Sequence, residues 1–221
     1  RVTVGAEKKN PVMSEGRKAL VAYHEAGHAI VGALTPDYDQ VAKITIIPRG
    51  GAGGLTFFAP NEQRVDSGLY SRQFLEGQLA VALGGRIAEE IIFGDENITT
   101  GASNDLQRVT QVARQMVTRF GMSKKVGQIV HSSDGGNPFL GRQMASQSPQ
   151  IGSTTKMAID DEVRRLVDIA YNRAKTLLTT NRSLLDDLAK MLIEKETVSA
   201  DEFQRLLATS KVEMMMPYAP F

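Results

Sequence analysis

Two histidines four residues apart constrain the fold more than any other feature of the sequence. His24 and His28 lie where apolar residues recur every three or four positions, which predicts a helix from a cap at Ser14 to about Leu34, with one stripe buried. On a helix, positions four apart differ by about 40° around the axis and about 6 Å along it, so both imidazoles can face one ion. Glu25 is offset by about 100° from His24 and can therefore reach a water on the metal rather than the metal. The spacing predicts a zinc site with an adjacent general base.

The other patterns predict a mainly α protein with a small β-sheet, an α+β fold. Two short β-branched or aromatic runs, Val41–Ile47 and Leu55–Phe58, flank a glycine-rich turn and are expected to be strands. Helical periodicity follows them and predicts a C-terminal helical bundle in the second half of the chain. The later helices are expected near Ser71–Gly94, Ser103–Phe120, Thr154–Thr180 and Ser183–Glu194, with a last one opened by the capping box Ser199–Glu202.

Three segments without periodicity set the expected domain limits. Residues 1–10 are polar and are expected to be a linker from an upstream module. Residues 132–153, rich in Ser, Gly and Gln, are expected to form a mobile loop, and residues 209–221 a flexible tail. The folded domain is therefore expected to span residues 11–208.

Composition argues against several functions. With 26 basic and 25 acidic residues the net charge is +1, so no nucleic-acid partner is expected. The chain has no cysteine, which excludes a disulfide framework, a thiolate metal site and a cysteine nucleophile. No apolar run approaches the roughly 18–20 residues that a membrane helix needs. The stretch Gly50–Gly54 lacks the lysine and the following helix of a phosphate-binding loop, so it is interpreted as a turn.

A catalytic zinc ion needs a third protein ligand, and the sequence alone leaves two places open for it. One is Glu89 or Glu90; each could instead form an ion pair with Arg86 or a hydrogen bond to a zinc-bound imidazole. The other is Asp105, which could instead be a charge favoured by a helix dipole in the first turn of a helix. The third histidine, His131, precedes the predicted loop and is not expected to have a functional role.

Four tracts together resemble one known family: Leu20–Val31, Lys43–Phe58, Ala80–Gly94 and Thr99–Arg119. They are similar to the peptidase domain of FtsH-type membrane-bound ATP-dependent zinc metalloproteases. Leu34–Phe58 and Gly68–Arg72 are most similar to the cyanobacterial and chloroplast members. The resemblance implies that His24, His28 and Asp105 bind one zinc ion per subunit and that Glu25 is the base. It also implies that Glu89 is a hydrogen-bond partner of a ligand rather than a ligand.

The same resemblance carries expectations about the full-length protein. It implies a homo- or hetero-hexamer that degrades unassembled or damaged membrane and soluble proteins. ATP would be bound only by a module upstream of residues 1–10, and the membrane reached only through upstream anchors. The implied location is the thylakoid or a cyanobacterial membrane, with the protease domain on the stromal or cytoplasmic side. The alternative function is a non-proteolytic assembly module of the same family that keeps zinc for stability.

Two further expectations concern polypeptide substrates and assembly. One of the two strands is expected to bind substrate as an added β-strand, with Ile44, Ile46, Gly53 and Gly54 as the candidate residues; alternatively both strands are internal. The C-terminal helices carry apolar residues that are expected to exceed the needs of one core and to serve a ring interface, unless they only pack on each other. These are Leu166, Ile169, Leu177, Leu184, Leu188 and Leu192.

Overall fold

A computed structural model describes residues 13–50, 52–131 and 151–216 of the chain. Within these ranges it has helices, strands and two short 3₁₀ turns, at 95–97 and 100–102. The helices and strands are α1 (Glu15–Ala33), β1 (Gln40–Thr45), β2 (Leu55–Ala59), α2 (Glu62–Ser67), α3 (Arg72–Phe93), α4 (Ser103–Thr118), α5 (Ser153–Thr180), α6 (Arg182–Lys195), β3 (Thr197–Ser199) and α7 (Ala200–Thr209). The prediction of a mainly α fold with a small sheet is confirmed.

Helix starts follow their capping residues. The Ser14 side chain accepts a hydrogen bond from the Arg17 N–H at the start of α1. The capping box predicted at Ser199 and Glu202 opens α7, with both reciprocal hydrogen bonds present. At α4 the cap residue is Ala102, whose side chain makes no capping hydrogen bond, and Ser103 is already helical. Side-chain capping occurs one turn earlier, where Thr99 accepts from the Gly101 N–H.

The sheet is antiparallel in the order β2-β1-β3, so β1 is the central strand. Ile44 lies opposite Thr56 on one side and Val198 on the other. The third strand comes from the C-terminal part of the chain, immediately before α7. It was not predicted, because three residues are too few to show the alternation that identifies a strand.

Helices α1 and α3 pack backbone to backbone at a pair of glycines. A Cβ on Gly27 would lie 2.3 Å from the Gly84 carbonyl oxygen, and a Cβ on Gly84 would lie 2.7 Å from the Gly27 carbonyl oxygen. Any side chain at either position would separate the helices. Helix α3 continues through Gly84 and Gly85 without a break. The glycines therefore bring the histidine-bearing helix against α3.

Most of the apolar residues that were expected at a ring interface pack inside the single chain. Leu166, Leu177 and Leu184 are buried, as are Leu188 and Leu192. They belong to one core that also includes residues of α1 and α3. The expectation of surplus apolar surface for a ring interface was wrong for these five, because α5 and α6 pack on α3 and α1 respectively.

The predicted segments without periodicity fall partly outside the described residues. The linker at 1–10 and residues 132–150 of the predicted loop lie outside them, and Ser153 is the first residue of α5. Residues 210–216 of the predicted flexible tail are described, and they pack on the domain. The Met215 N–H donates to the Leu34 carbonyl, the Glu213 N–H donates to Asn181 Oδ1, and Met215 is buried.

Candidate metal centre and active site

Three predicted ligand atoms converge where α1, α3 and α4 meet. His24 Nε2 lies 3.1 Å from His28 Nε2, and Asp105 Oδ2 lies 3.4 Å from the first and 3.5 Å from the second. Ligands of a tetrahedral zinc ion at 2.0–2.1 Å are separated from one another by about 3.3 Å. Because the three observed separations match this spacing, the donor set fits a zinc ion with a fourth position left over.

A glycine on α3 leaves room beside the ligands. A Cβ on Gly85 would lie 2.5 Å from His24 Nε2 and 2.6 Å from His28 Nε2. Real Cβ atoms do not approach other atoms so closely, so every other residue at this position would displace the imidazoles. The glycine thus allows both rings to approach α3 with their Nε2 atoms towards Asp105.

Hydrogen bonds fix which nitrogen of each ring is available. His24 Nδ1 donates to Glu89 Oε1 at 2.7 Å, and His28 Nδ1 donates to the Val81 carbonyl at 2.7 Å. Since both partners are acceptors, the hydrogens belong on Nδ1. Each Nε2 then keeps its lone pair for an ion, an arrangement typical of histidine ligands to metals.

The electrostatics of the cluster favour a cation. Burial alone would lower the pKa of His24, but hydrogen bonds with Asp105 and Glu89 outweigh it and raise that pKa to about 10. Burial opposes ionisation of Asp105, yet the two imidazoles hold the pKa of its carboxyl well below the usual range. Burial likewise opposes ionisation of Glu89, but the hydrogen bonds from His24 and Thr99 lower its pKa. The lowered pKa values of Asp105 and Glu89 place two negative charges beside the imidazoles, which favours binding of a cation here.

The Glu25 carboxylate contacts the sheet on one side and interacts electrostatically with His24, His28 and Asp105. The Thr56 hydroxyl on β2 donates to Glu25 Oε2 at 2.8 Å. A Cβ on Gly54 would lie 2.9 Å from Glu25 Oε1, so the start of β2 also fits closely around this carboxylate. Glu25 is only 6% exposed, and burial raises the pKa of its carboxyl. A carboxylate with a raised pKa beside a metal site suits a general base.

The two glutamates that the sequence left open have different partners. Glu89 is fully buried and bonds to His24, while Asp105 lies with the two imidazoles in a group that could hold a metal ion. Glu90 turns away and accepts from Tyr171 Oη at 2.6 Å and from Lys175 Nζ at 2.7 Å, which ties α3 to α5. Of the acidic residues that the structure describes, it therefore groups only Asp105 with the two imidazoles.

The third histidine lies far from this cluster. The His131 N–H donates to the Thr118 carbonyl at the C-terminal end of α4. Asp105 is thirteen residues earlier on the same helix, a separation of about 20 Å at 1.5 Å per residue. His131 therefore does not join the candidate metal site.

The predicted substrate-binding residues divide between the two strands. Ile44 and Ile46 are buried, and β1 pairs with β3 from Lys43 to Thr45 as well as with β2, so Ile44 does not lie at an open edge of the sheet. Gly53 packs towards Val21 of α1, whereas Gly54 lies beside Glu25. Among the described residues β2 is paired on one side only, which leaves it as the candidate edge.

Four contacts of the site were not predicted: the Val81 carbonyl, Gly85, Thr56 and Thr99. A Gly-Gly pair inside a helical pattern signals close packing and could have indicated Gly85. A threonine before a turn could have indicated a capping role for Thr99. Nothing in the local sequence indicates that the Thr56 hydroxyl or the Val81 carbonyl reaches α1.

None of the helices within the described ranges is long and apolar enough to cross a bilayer.

Comparison with known proteins places the chain in a family. The model of Peptidase family M41 matches residues 11–206. The chain is 62% identical over 216 residues to the ATP-dependent zinc metalloprotease FtsH 3 of Synechocystis sp., covering 98% of this chain and 35% of the relative. It is 61% identical over 214 residues to the chloroplastic ATP-dependent zinc metalloprotease FTSH 1 of Arabidopsis thaliana, covering 97% and 30%.

The corresponding rice protein, chloroplastic FTSH 1 of Oryza sativa subsp. japonica, is 60% identical over 216 residues, covering 98% of this chain and 31% of the relative. The chain thus spans about a third of the length of these relatives. The family match covers most of the chain, including the histidine-bearing helix and Asp105. The chain therefore belongs to Peptidase family M41, and nearly its whole length is similar to about a third of the FtsH-type zinc metalloproteases of cyanobacteria and chloroplasts.

Proposed function

We propose that this domain hydrolyses peptide bonds of polypeptide substrates at a zinc ion held by His24, His28 and Asp105, with Glu25 as the general base. The observation that carries the proposal is the triangle of His24 Nε2, His28 Nε2 and Asp105 Oδ2, with sides of 3.1, 3.4 and 3.5 Å. Glu25 follows His24 directly in the sequence, but its carboxylate is held by Thr56 of β2 and does not serve as a metal ligand. It is therefore available for proton transfer.

His24, His28 and Asp105 would hold the zinc ion, which would supply Lewis acidity to polarise a carbonyl and to lower the pKa of water to about 7. Glu25 removes the proton from the attacking water and returns it to the leaving amine. The Thr56 hydroxyl holds Oε2 of this carboxylate, which leaves Oε1 to receive the proton. Burial disfavours the ionised carboxylate and so strengthens it as a base.

The substrate backbone binds along the edge of β2. This strand begins beside Glu25 and is paired only with β1 among the described residues, so an added strand would run past the base. Main-chain pairing of this kind recognises extended polypeptide and tolerates many sequences. The domain therefore acts on unfolded segments of varied sequence.

In the full-length protein the domain works with an ATP-dependent module, by analogy with the names of its relatives. We infer a homo- or hetero-hexamer associated with a thylakoid or cyanobacterial membrane, with this domain on the stromal or cytoplasmic side, degrading unassembled or damaged proteins. Family membership supports this inference. The buried leucines of α5 and α6 do not, because they are satisfied within one chain.

Glu25→Gln tests the proposal, because it keeps the size of the side chain and removes the base. Zinc content and the circular dichroism spectrum should stay as in the wild type. Cleavage of casein should fall by about 10²–10⁴-fold, the usual contribution of a general base. A chelator should abolish the wild-type activity and added zinc should restore it. Wild-type turnover by zinc-loaded Glu25→Gln protein would overturn the assignment and favour an assembly role.

A further inference from the structure

Glu89 is a fully buried carboxylate whose hydrogen bonds come from two separate parts of the site. Its Oε1 accepts from His24 Nδ1 at 2.7 Å. Its Oε2 accepts from the Thr99 backbone N–H at 2.9 Å and from the Thr99 hydroxyl at 3.0 Å. A buried charge without such donors would be strongly destabilising, so the orientation of this carboxylate depends on both partners.

Thr99 occupies the point where the chain turns towards the third ligand. It precedes the 3₁₀ turn at 100–102, which leads directly into α4, and Asp105 lies in the first turn of that helix. Two hydrogen bonds from one residue fix the start of this segment to Glu89 on α3. Glu89 thereby joins the ring of His24 to the segment that carries Asp105.

The direction of the hydrogen bonds is also determined. An ionised carboxylate only accepts hydrogen bonds, so the Thr99 hydroxyl donates to Glu89 Oε2 and His24 Nδ1 donates to Glu89 Oε1. The Thr99 oxygen also accepts from the Gly101 N–H at 3.2 Å. This series of hydrogen bonds keeps the hydrogen of His24 on Nδ1, so that the lone pair of Nε2 faces Asp105 and His28.

We propose that Thr99 is a positioning residue for the metal centre, which acts through Glu89 to hold the His24 imidazole and the Asp105 segment in one binding geometry. The inference rests on the proposed function, in which His24, His28 and Asp105 bind zinc. It goes beyond that function because Thr99 touches neither an ion nor a substrate.

The test compares Thr99→Val, Thr99→Ser and a matched control, Thr100→Val. Valine keeps the shape and the backbone N–H but removes the hydroxyl, whereas serine restores it. Thr100 is the exposed neighbour, and its hydroxyl makes no hydrogen bond within the described residues. The zinc dissociation constant is measured by competition with a chromophoric chelator, and the absorption spectrum of the cobalt-substituted protein reports the ligand geometry.

Thr99→Val should weaken zinc binding by about 10–100-fold and change the cobalt spectrum, as changes to the hydrogen-bond partners of metal ligands typically do. Thr99→Ser and Thr100→Val should bind zinc within about threefold of the wild type. If Thr99→Val binds zinc as tightly as the wild type, with the same cobalt spectrum, the inference is overturned. If the wild type itself binds no zinc, the proposed function fails as well, so the two failures are distinguishable.

A double-mutant cycle separates positioning through Glu89 from a general loosening of the loop. Thr99→Val is introduced into a Glu89→Gln protein, and zinc affinity is measured in all four forms. If Thr99 acts through Glu89, the hydroxyl loss should weaken zinc binding by less than about threefold in the Glu89→Gln background. Full additivity of the two losses would show that Thr99 only stabilises its own loop, and would overturn the proposal even if the single variant binds zinc weakly.

Discussion

Replacing Gly85 with alanine should disable the metal centre without unfolding the domain. The new Cβ would lie 2.5 Å from His24 Nε2 and 2.6 Å from His28 Nε2. Ordinary contacts of this kind begin near 3.5 Å, so the ring nitrogens must each retreat by about 1 Å. Zinc–ligand distances are held within about ±0.2 Å, which is several times smaller than that displacement. We therefore expect zinc affinity to fall by more than about 100-fold, beyond the effect of an indirect change.

The fold should survive because the atoms nearest to the new Cβ belong to side chains. The three nearest are two of His24 and one of His28, and imidazole rings can rotate away. Alanine also stabilises a helix interior by about 0.5–1 kcal/mol relative to glycine, which offsets part of the strain. Gly84→Ala would differ, because its Cβ would meet the backbone of Gly27.

The assay is chelator competition for zinc together with the thermal midpoint in the presence and absence of zinc. Gly16→Ala is the matched control, since Gly16 is also on a helix and, apart from its own helix, no described residue has an atom within 4 Å of its added Cβ. The control should bind zinc normally, and zinc should raise its Tm as it does in the wild type. In Gly85→Ala zinc should leave the Tm nearly unchanged. Wild-type zinc affinity in Gly85→Ala would refute the packing argument.

Two other substitutions test the base and the choice of ligand. Thr56→Val removes the hydroxyl that holds Glu25, so kcat for peptide cleavage should fall by about tenfold, the low end for a hydrogen bond to a charged group. KM and zinc content should stay unchanged, and Thr56→Ser should recover the rate. An unchanged kcat in Thr56→Val would count against a role of Thr56 in positioning the base. Asp105→Asn should weaken zinc binding far more than Glu89→Gln, which should cost about 10–100-fold; metal analysis that finds Glu89→Gln empty and Asp105→Asn loaded would reverse the assignment.

Local spacing in the sequence was enough to predict the motif helix and its immediate chemistry. The 3.6-residue period places His24 and His28 on one side of α1 and Glu25 on another. Helix caps at Ser14 and Ser199 were also recognisable, because capping uses neighbours within three residues. Such features depend on contacts close in sequence, so a single chain displays them directly.

Long-range pairing could not be predicted in the same way. The central position of β1 depends on β3, which joins the sheet from about 150 residues later through pairs such as Ile44 with Val198. Without β3, β1 would resemble an edge strand, and Ile44 would be a reasonable substrate-binding candidate. The third ligand was likewise ambiguous between Glu89 and Asp105 until resemblance to a family was used, because both are acids at some distance from the motif.

The burial of α1 explains why the elements packed against it carry glycines at the points of closest approach. One buried stripe was expected, but residues 25–32 are all buried, so this part of the helix has neighbours on every side. The ligands require α3 and α4 on one side, and the base requires β2 on another, about 100° away. Three elements can approach one helix so closely only where side chains are absent, which is the role of Gly27 against Gly84, Gly85 against the imidazoles, and Gly54 against Glu25. A helix with candidate ligands on one side and a candidate base on another therefore needs glycines on the elements that pack against it. These glycines cannot be identified from the histidine motif alone.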